Sequence, residues 1–157
     1  MTPVRIIGIG SSHGPDRAGW LVVDALQHSD LTARLPADAV SFSQCRFPAQ
    51  LWQLVDGCSL AILIDAVCAE PGTVLEIDSG DLVRWKELHS THGIGVGEAL
   101  SLIPVLTDQP PRVVLLGIGV DAEEGSCTTD VVKRALPRVL EVVETCSREF
   151  LQTSTST

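Results

Sequence analysis

Three side chains suited to binding a metal ion stand in three separate segments of the sequence: Asp16, Asp65 and His92. Asp16 follows the first apolar run, Asp65 comes directly after the run 60–64, and His92 lies in the segment Ser-Thr-His-Gly-Ile-Gly at 90–95. Two carboxylates and one imidazole suit a borderline divalent cation and balance its charge. Because three protein ligands leave positions open for a substrate, the sequence predicts an open metal site rather than a closed structural one.

Each of these residues also has a purely structural interpretation. An aspartate at a strand end commonly accepts backbone N–H groups in a turn or caps the next segment. A histidine in a glycine-rich loop commonly lies at a helix end or in solvent. The functional interpretation of Asp16, Asp65 and His92 therefore depends on their convergence on one edge of the fold.

Other patterns of reactive residues are weaker. Gly8-Ile9-Gly10 followed by Gly14 has the spacing GxGxxxG, and no acidic residue ends the next predicted strand, so we reject a dinucleotide site. The sequence contains no GxxxxGK[ST], HExxH or GxSxG, the motifs of P-loop proteins, zincins and α/β-hydrolases. Cys68 with His92 or His13 would provide a nucleophile and a base, although a small loop residue is the commoner role for such a cysteine.

The hydrophobic pattern predicts alternating strands and helices. Unbroken apolar runs, typical of central strands buried on both faces, cover 4–9, 60–64 and 112–118, and a weaker strand covers 39–42. The alternating run 73–77 is typical of a half-exposed edge strand. Apolar residues at helical spacing predict helices at 18–26, 48–54, 95–103 and about 130–150.

This order of elements predicts an α/β fold: a single three-layer domain, residues 1–151, with a twisted, mostly parallel sheet flanked by helices. Ligands of such sheets bind beyond the carboxyl ends of the strands, where the strand order reverses. The polar residues 152–157 are expected to form a disordered tail.

The charge balance bears on partners and location. The chain has 11 Lys and Arg against 20 Asp and Glu, a net charge of -9, and its basic residues are scattered, so nucleic acid is not an expected partner. No apolar run reaches the roughly 18 residues of a membrane span, and we expect no membrane association. Five cysteines without a CxxC pair indicate reduced thiols and a cytoplasmic protein.

Three segments, in this order and at these separations, are similar to one known family: 6–10 with 15–19, 64–67 with 70–74, and 90–100. They resemble the endopeptidases that mature nickel-iron hydrogenases. The second and third segments are the more specific in combination, and the resemblance extends over nearly the whole chain up to Phe150.

The resemblance implies an aspartic-type endopeptidase that removes the C-terminal extension of a nickel-iron hydrogenase large-subunit precursor after nickel insertion. Carried over residue by residue, the family's acidic ligands fall on Asp16 and Asp65 and its histidine on His92, so these residues are implied to be both catalytic and metal-binding. The nickel is implied to be supplied by the precursor, with no organic cofactor.

Two departures from the family pattern concern the ligand and the substrate. The first acidic ligand is commonly Glu, whereas Asp16 is one methylene shorter and its loop is one residue shorter. The frequent Asp-Gly-Gly-Thr loop is replaced by 43–48, Ser-Gln-Cys-Arg-Phe-Pro. That loop is implied to contact the precursor, so its replacement bears on which precursor is recognised.

Two other classes of function compete with the enzyme. One is a non-catalytic, chaperone-like module that binds the nickel-loaded precursor. The other is a flavodoxin-like binder of a small molecule without metal, in which Asp65 caps a turn and His92 lies outside any cluster. The presence of all three ligand types favours the enzyme.

Overall fold

The structure, a computed structural model, describes residues 2–78, 95–121 and 128–154. Within these residues five strands form one sheet: β1 Val4–Ile9, β2 Val40–Cys45, β3 Leu60–Cys68, β4 Val74–Asp78 and β5 Arg112–Val120. The described helices are α1 Arg17–Gln27, α2 Leu31–Arg34, α3 Leu51–Val55, α4 Gly95–Leu106 and α5 Thr128–Ser154. Short 3₁₀ turns, Gly14–Asp16 and Pro48–Gln50, lead into α1 and α3.

The strand order is β2-β1-β3-β5-β4. The pairs β1–β2, β1–β3 and β3–β5 are parallel, and only β4 runs antiparallel, along β5. The three strands predicted from unbroken apolar runs are central, and the alternating run forms an edge, because central strands need apolar side chains on both faces. The predicted α/β fold with a mostly parallel sheet flanked by helices is confirmed.

The core has two halves, one on each face of the sheet. Ile62 and Ile64 of β3 pack with α1 and α5, whereas Leu63 and Val67 of the same strand pack with α3 and α4. All four side chains are fully buried. This alternation gives the three layers expected from the sequence.

Several elements are longer than the sequence predicted, β3 and α5 among them. β3 continues through Asp65 to Cys68, because β5 also extends, to Val120, and pairs with it throughout. α5 continues to Ser154, so 152–154, expected to begin a disordered tail, are helical. There the hydroxyls of Thr153 and Ser154 donate hydrogen bonds to the Phe150 carbonyl, which satisfies them within the helix. Residues 155–157 lie outside the described residues.

Replacing Ile62, fully buried in β3, with alanine is expected to lower the free energy of unfolding by about 2–5 kcal/mol, because it removes apolar contacts and leaves a cavity. Val105→Ala is the matched control, since Val105 is 77% exposed, and its effect is expected to stay within about 0.5 kcal/mol. Urea denaturation of both variants measures the difference. Equal shifts of the two midpoints would contradict this assignment of the core.

Candidate functional site

A crevice is expected where the carboxyl ends of β1 and β3 lie side by side. From β1 the chain passes through α1 to β2 on one side, whereas β3 pairs with the other side of β1. The strand order therefore reverses between β1 and β3. This is the position at which open α/β sheets bind their ligands.

Asp65 lies in this region, but not at a strand tip as the sequence predicted. It is the sixth residue of β3, opposite Gly117 of β5. The pairing of β3 with β1, however, ends at Gly8 and Ile64, so from Asp65 onward β3 has a neighbour in the described residues on the β5 side only. Asp65 thus begins the part of β3 that is no longer paired with β1.

The Asp65 side chain is fully buried. Its neighbours at alternate positions, Leu63 and Val67, belong to the half of the core beneath α3 and α4, which places Asp65 on that face. Burying a carboxylate in such surroundings carries a large desolvation cost. A strand residue that kept only a structural role would avoid this cost with an apolar side chain, so a buried carboxylate here favours a functional role.

Cys45 is the side chain on this face whose titration responds to Asp65. It ends β2, pairs with Ile9 in the sheet register and is fully buried. Burial raises the pKa of the Cys45 thiol to about 11, the Phe47 backbone hydrogen bond opposes the shift, and the negative charge of Asp65 adds to it. The thiol donates a hydrogen bond to the Phe47 carbonyl at 3.1 Å. Cys45 is therefore a neutral thiol at physiological pH.

Asp16 is positioned by close backbone packing at the start of α1. A Cβ atom added to Gly10 would collide with the Asp16 carbonyl oxygen, and one added to Gly19 would lie 2.8 Å from the carbonyl oxygen of Ile64. These glycines let the first turn of α1 lie directly against the end of β1 and the middle of β3. The turn that ends at Asp16 also contacts β3.

The structure therefore brings the segment of Asp16 and the strand of Asp65 to one place, from opposite sides. Asp16 is partly buried and approaches with α1, whose side chains pack on one face of the sheet. Asp65 belongs to the other face. The two carboxylates can share a ligand only across the end of β1.

His92 lies outside the described residues, so its convergence with the two aspartates stays a prediction. α4 begins three residues later, at Gly95, and leads into β5 at the amino edge of the sheet. At 1.5 Å per residue, the 12 residues of α4 span about 18 Å. The start of the helix therefore lies toward the opposite edge, at the carboxyl ends of the parallel strands. Within 2–78, 95–121 and 128–154, no three His, Cys, Asp or Glu side chains are grouped to hold a metal.

Sequence reasoning missed the residues that fix this corner of the sheet. The Cys45 carbonyl accepts hydrogen bonds from the Gly10 N–H, at 2.9 Å, and from the Trp20 indole N–H, at 3.3 Å. These bonds tie the end of β2 to the loop after β1 and to α1. Gly8 and Gly10 are the available signal, but in the sequence they are interpreted only with Gly14, as a dinucleotide motif that does not match, and Gly19 lies outside that pattern.

Comparison with known proteins gives this site a context. Residues 47–146, more than half of the chain, match the model of the HycI hydrogenase maturation protease family. The chain belongs to this family. The match contains Asp65 and His92 and begins after Asp16. Family membership makes the protein a protease, hence a hydrolase, and confirms the resemblance found in the sequence.

Solved structures of hydrogenase maturation proteases share the fold. The hydrogenase maturating endopeptidase HybD from Escherichia coli is 19% identical, with a TM-score of 0.69 and coverage of 93% of this chain and 94% of that one. The [NiFe] hydrogenase maturation protease HycI from Thermococcus kodakarensis KOD1 is 22% identical, with a TM-score of 0.61 and coverage of 94% and 93%. No curated protein sequence matches the chain.

None of the described helices has the length and apolar character needed to span a membrane. The 27-residue α5 is long enough, but charged side chains recur along its exposed face.

Gly19→Ala is expected to destabilise the protein by about 1–3 kcal/mol, because the new methyl group collides with the carbonyl oxygens of Ile9 and Ile64. Gly14→Asn is the control in the same loop. A Cβ atom there meets nothing within 4 Å, and asparagine tolerates the φ of +57° at this position. Thermal melts compare the two variants, and a larger loss in Gly14→Asn would refute the proposed packing.

Cys45 is expected to resist alkylation at pH 8 in the folded protein, whereas the exposed Cys68 reacts. Peptide mapping after iodoacetamide treatment distinguishes the two sites. Because the folded pKa of Cys45 lies above the ordinary 9.0, its contribution to stability is complete below pH 9 and is lost as the pH rises toward about 11. Between pH 9 and about 11, the free energy of unfolding of Cys45→Ala should therefore fall less than that of the wild type.

Proposed function

We propose that this protein is an endopeptidase that removes the C-terminal extension of a nickel-iron hydrogenase large-subunit precursor after nickel has been inserted. The observation that carries the proposal is the fully buried Asp65 carboxylate, at the point where the pairing of β3 with β1 has ended, in a member of the hydrogenase maturation protease family. The family supplies the reaction class, and Asp65 supplies a buried carboxylate at the predicted position of the ligand crevice.

Asp16, Asp65 and His92 are the residues we assign to the site, both as ligands and as catalytic groups. Two carboxylates and an imidazole can bind a divalent nickel ion presented by the precursor. Nickel held next to the scissile bond supplies Lewis-acid chemistry, by polarising the carbonyl or by lowering the pKa of a bound water. The proposal includes no organic cofactor.

The nickel is proposed to belong to the substrate rather than to the enzyme. Oxygen and imidazole donors bind several cellular divalent ions, and copper more strongly than nickel, so this donor set does not select nickel by affinity. Selection then comes from the precursor's own nickel site. Cleavage is in this way coupled to completed metal insertion.

We place the reaction in the cytoplasm. The cysteines described, Cys45, Cys58, Cys68 and Cys146, are all free thiols, which fits a reducing compartment.

The decisive experiment mixes purified protein with nickel-loaded precursor and follows the loss of the C-terminal peptide by gel mobility and mass spectrometry. Asp65→Asn keeps the volume of the buried side chain but removes its charge, and should slow cleavage by about 100-fold or more. Asp24→Asn, an exposed carboxylate on α1, is the matched control and should cleave normally. Nickel-free precursor should stay intact.

Substitutions of Asp16 distinguish a role as metal ligand from a structural role in the turn. Asp16→Glu should retain cleavage, because it keeps the carboxylate and restores the length common in the family, whereas Asp16→Ala should lose it. Efficient processing by Asp65→Asn or of nickel-free precursor would refute the mechanism. Tight binding of the precursor without any cleavage would instead identify a chaperone-like module.

A further inference from the structure

The large hydrophobic side chains exposed among the described residues all lie on one layer of the molecule. They belong to α4, to α3 and to the residue before the turn that leads into α3: Phe47, Trp52, Leu102, Val105 and Leu106. Val105 is 77% exposed and Phe47 55%. On the opposite layer, the described parts of α1, α2 and α5 expose none. We call these five side chains the apolar surface.

α4 explains why this surface exists. One side of the helix packs into the core through residues spaced as expected for a helix: Val96, Ala99, Leu100 and Ile103. The other side carries Leu102, Val105 and Leu106, and Glu98 is the only charged residue of the helix. A helix that is apolar on all sides is normally covered on all sides. Its exposed side is therefore a candidate protein contact.

The apolar surface begins beside the candidate site. Phe47 lies two residues after Cys45, which pairs with Ile9 at the end of β1, next to the point where the pairing of β1 with β3 ends. The adjoining turn Pro48–Gln50 contacts α4, so the surface continues from the crevice onto that helix. A macromolecule with a peptide bond at Asp65 would extend over α4 with the rest of its body.

The charges around the surface indicate the kind of partner. Glu98 is exposed on α4, and the exposed Asp56 and Asp108 line one cavity of about 490 Å³ at the end of α3. Against these three carboxylates, the exposed Arg46 adds one positive charge, 5.4 Å from the centre of the Phe47 ring. A second copy of this chain would bring the same carboxylates and a net charge of -9, and the two copies would repel each other. A different protein with an apolar patch bordered by Lys and Arg is complementary.

We propose that the apolar surface is where the folded body of the hydrogenase large-subunit precursor docks while its C-terminal segment enters the crevice at Asp65. This inference rests on the proposed function, because it takes the precursor as the substrate. Docking there contributes affinity and orientation and leaves the chemistry at Asp65 unchanged. Loss of the contact therefore raises KM for the precursor and leaves kcat nearly as it was.

The test measures binding separately from cleavage. Val105→Glu and Leu102→Glu each place a charge in the apolar surface. Ala33→Glu places the same charge at an exposed position of α2, on the opposite layer. Binding of nickel-loaded precursor is measured by calorimetry in an Asp65→Asn background, in which turnover is slowed by about 100-fold or more. The two surface variants should weaken binding by about tenfold or more, and Ala33→Glu should match its parent. Circular dichroism melts check that each variant is folded.

Other outcomes would overturn the proposal. Equal affinities in all three variants would show that the precursor docks elsewhere, and normal cleavage by the wild type would then leave the proposed function standing. A wild-type dimer in sedimentation experiments that Val105→Glu dissociates would assign the surface to self-association. If the wild type binds the precursor through this surface but never cleaves it, the docking site is supported and the proposed enzymatic function fails.

Discussion

The contact between Gly19 and the carbonyl oxygens of Ile9 and Ile64 is the constraint on which the candidate site depends. Because Gly19 has no side chain, the first turn of α1 lies against the end of β1 and the middle of its neighbour β3. Asp16 is three residues before this contact, and Asp65 directly follows Ile64. One close approach of backbone to backbone thus sets the position of both carboxylate-bearing segments.

The buried carboxylate of Asp65 shows how function and stability oppose each other in this sheet. All the residues of β3 from Leu60 to Val67 except Asp65 are apolar and fully buried, which stabilises the centre of the fold. Asp65 interrupts that row and carries a desolvation cost. Its negative charge also raises the pKa of Cys45 on β2, on the far side of β1.

Much of the fold could be predicted because the sheet centre requires apolar residues on both faces. The runs at β1, β3 and β5 and the alternation at β4 express this requirement directly in the sequence. The end of β3 could not be predicted, since a charged residue normally ends a buried run, whereas here pairing with β5 continues past Asp65. The candidate site could be predicted only in part. Residue type identifies Asp16 and Asp65 in the sequence, but the contacts of Gly19 and Trp20 depend on the packing of distant segments.

The strand order has a consequence for how the chain assembles. β5 lies between β3 and β4, although both are synthesised before it. Among the described strands, β4 therefore has none to pair with until residues 112–120 have left the ribosome, and β3 lacks its neighbour on that side for the same interval. Since non-local strand pairing is slow and exposes apolar edges, this interval is when the nascent chain is most prone to aggregate. The part of β3 that carries Asp65 acquires its lasting partner only when β5 inserts, so the site matures in the second half of synthesis.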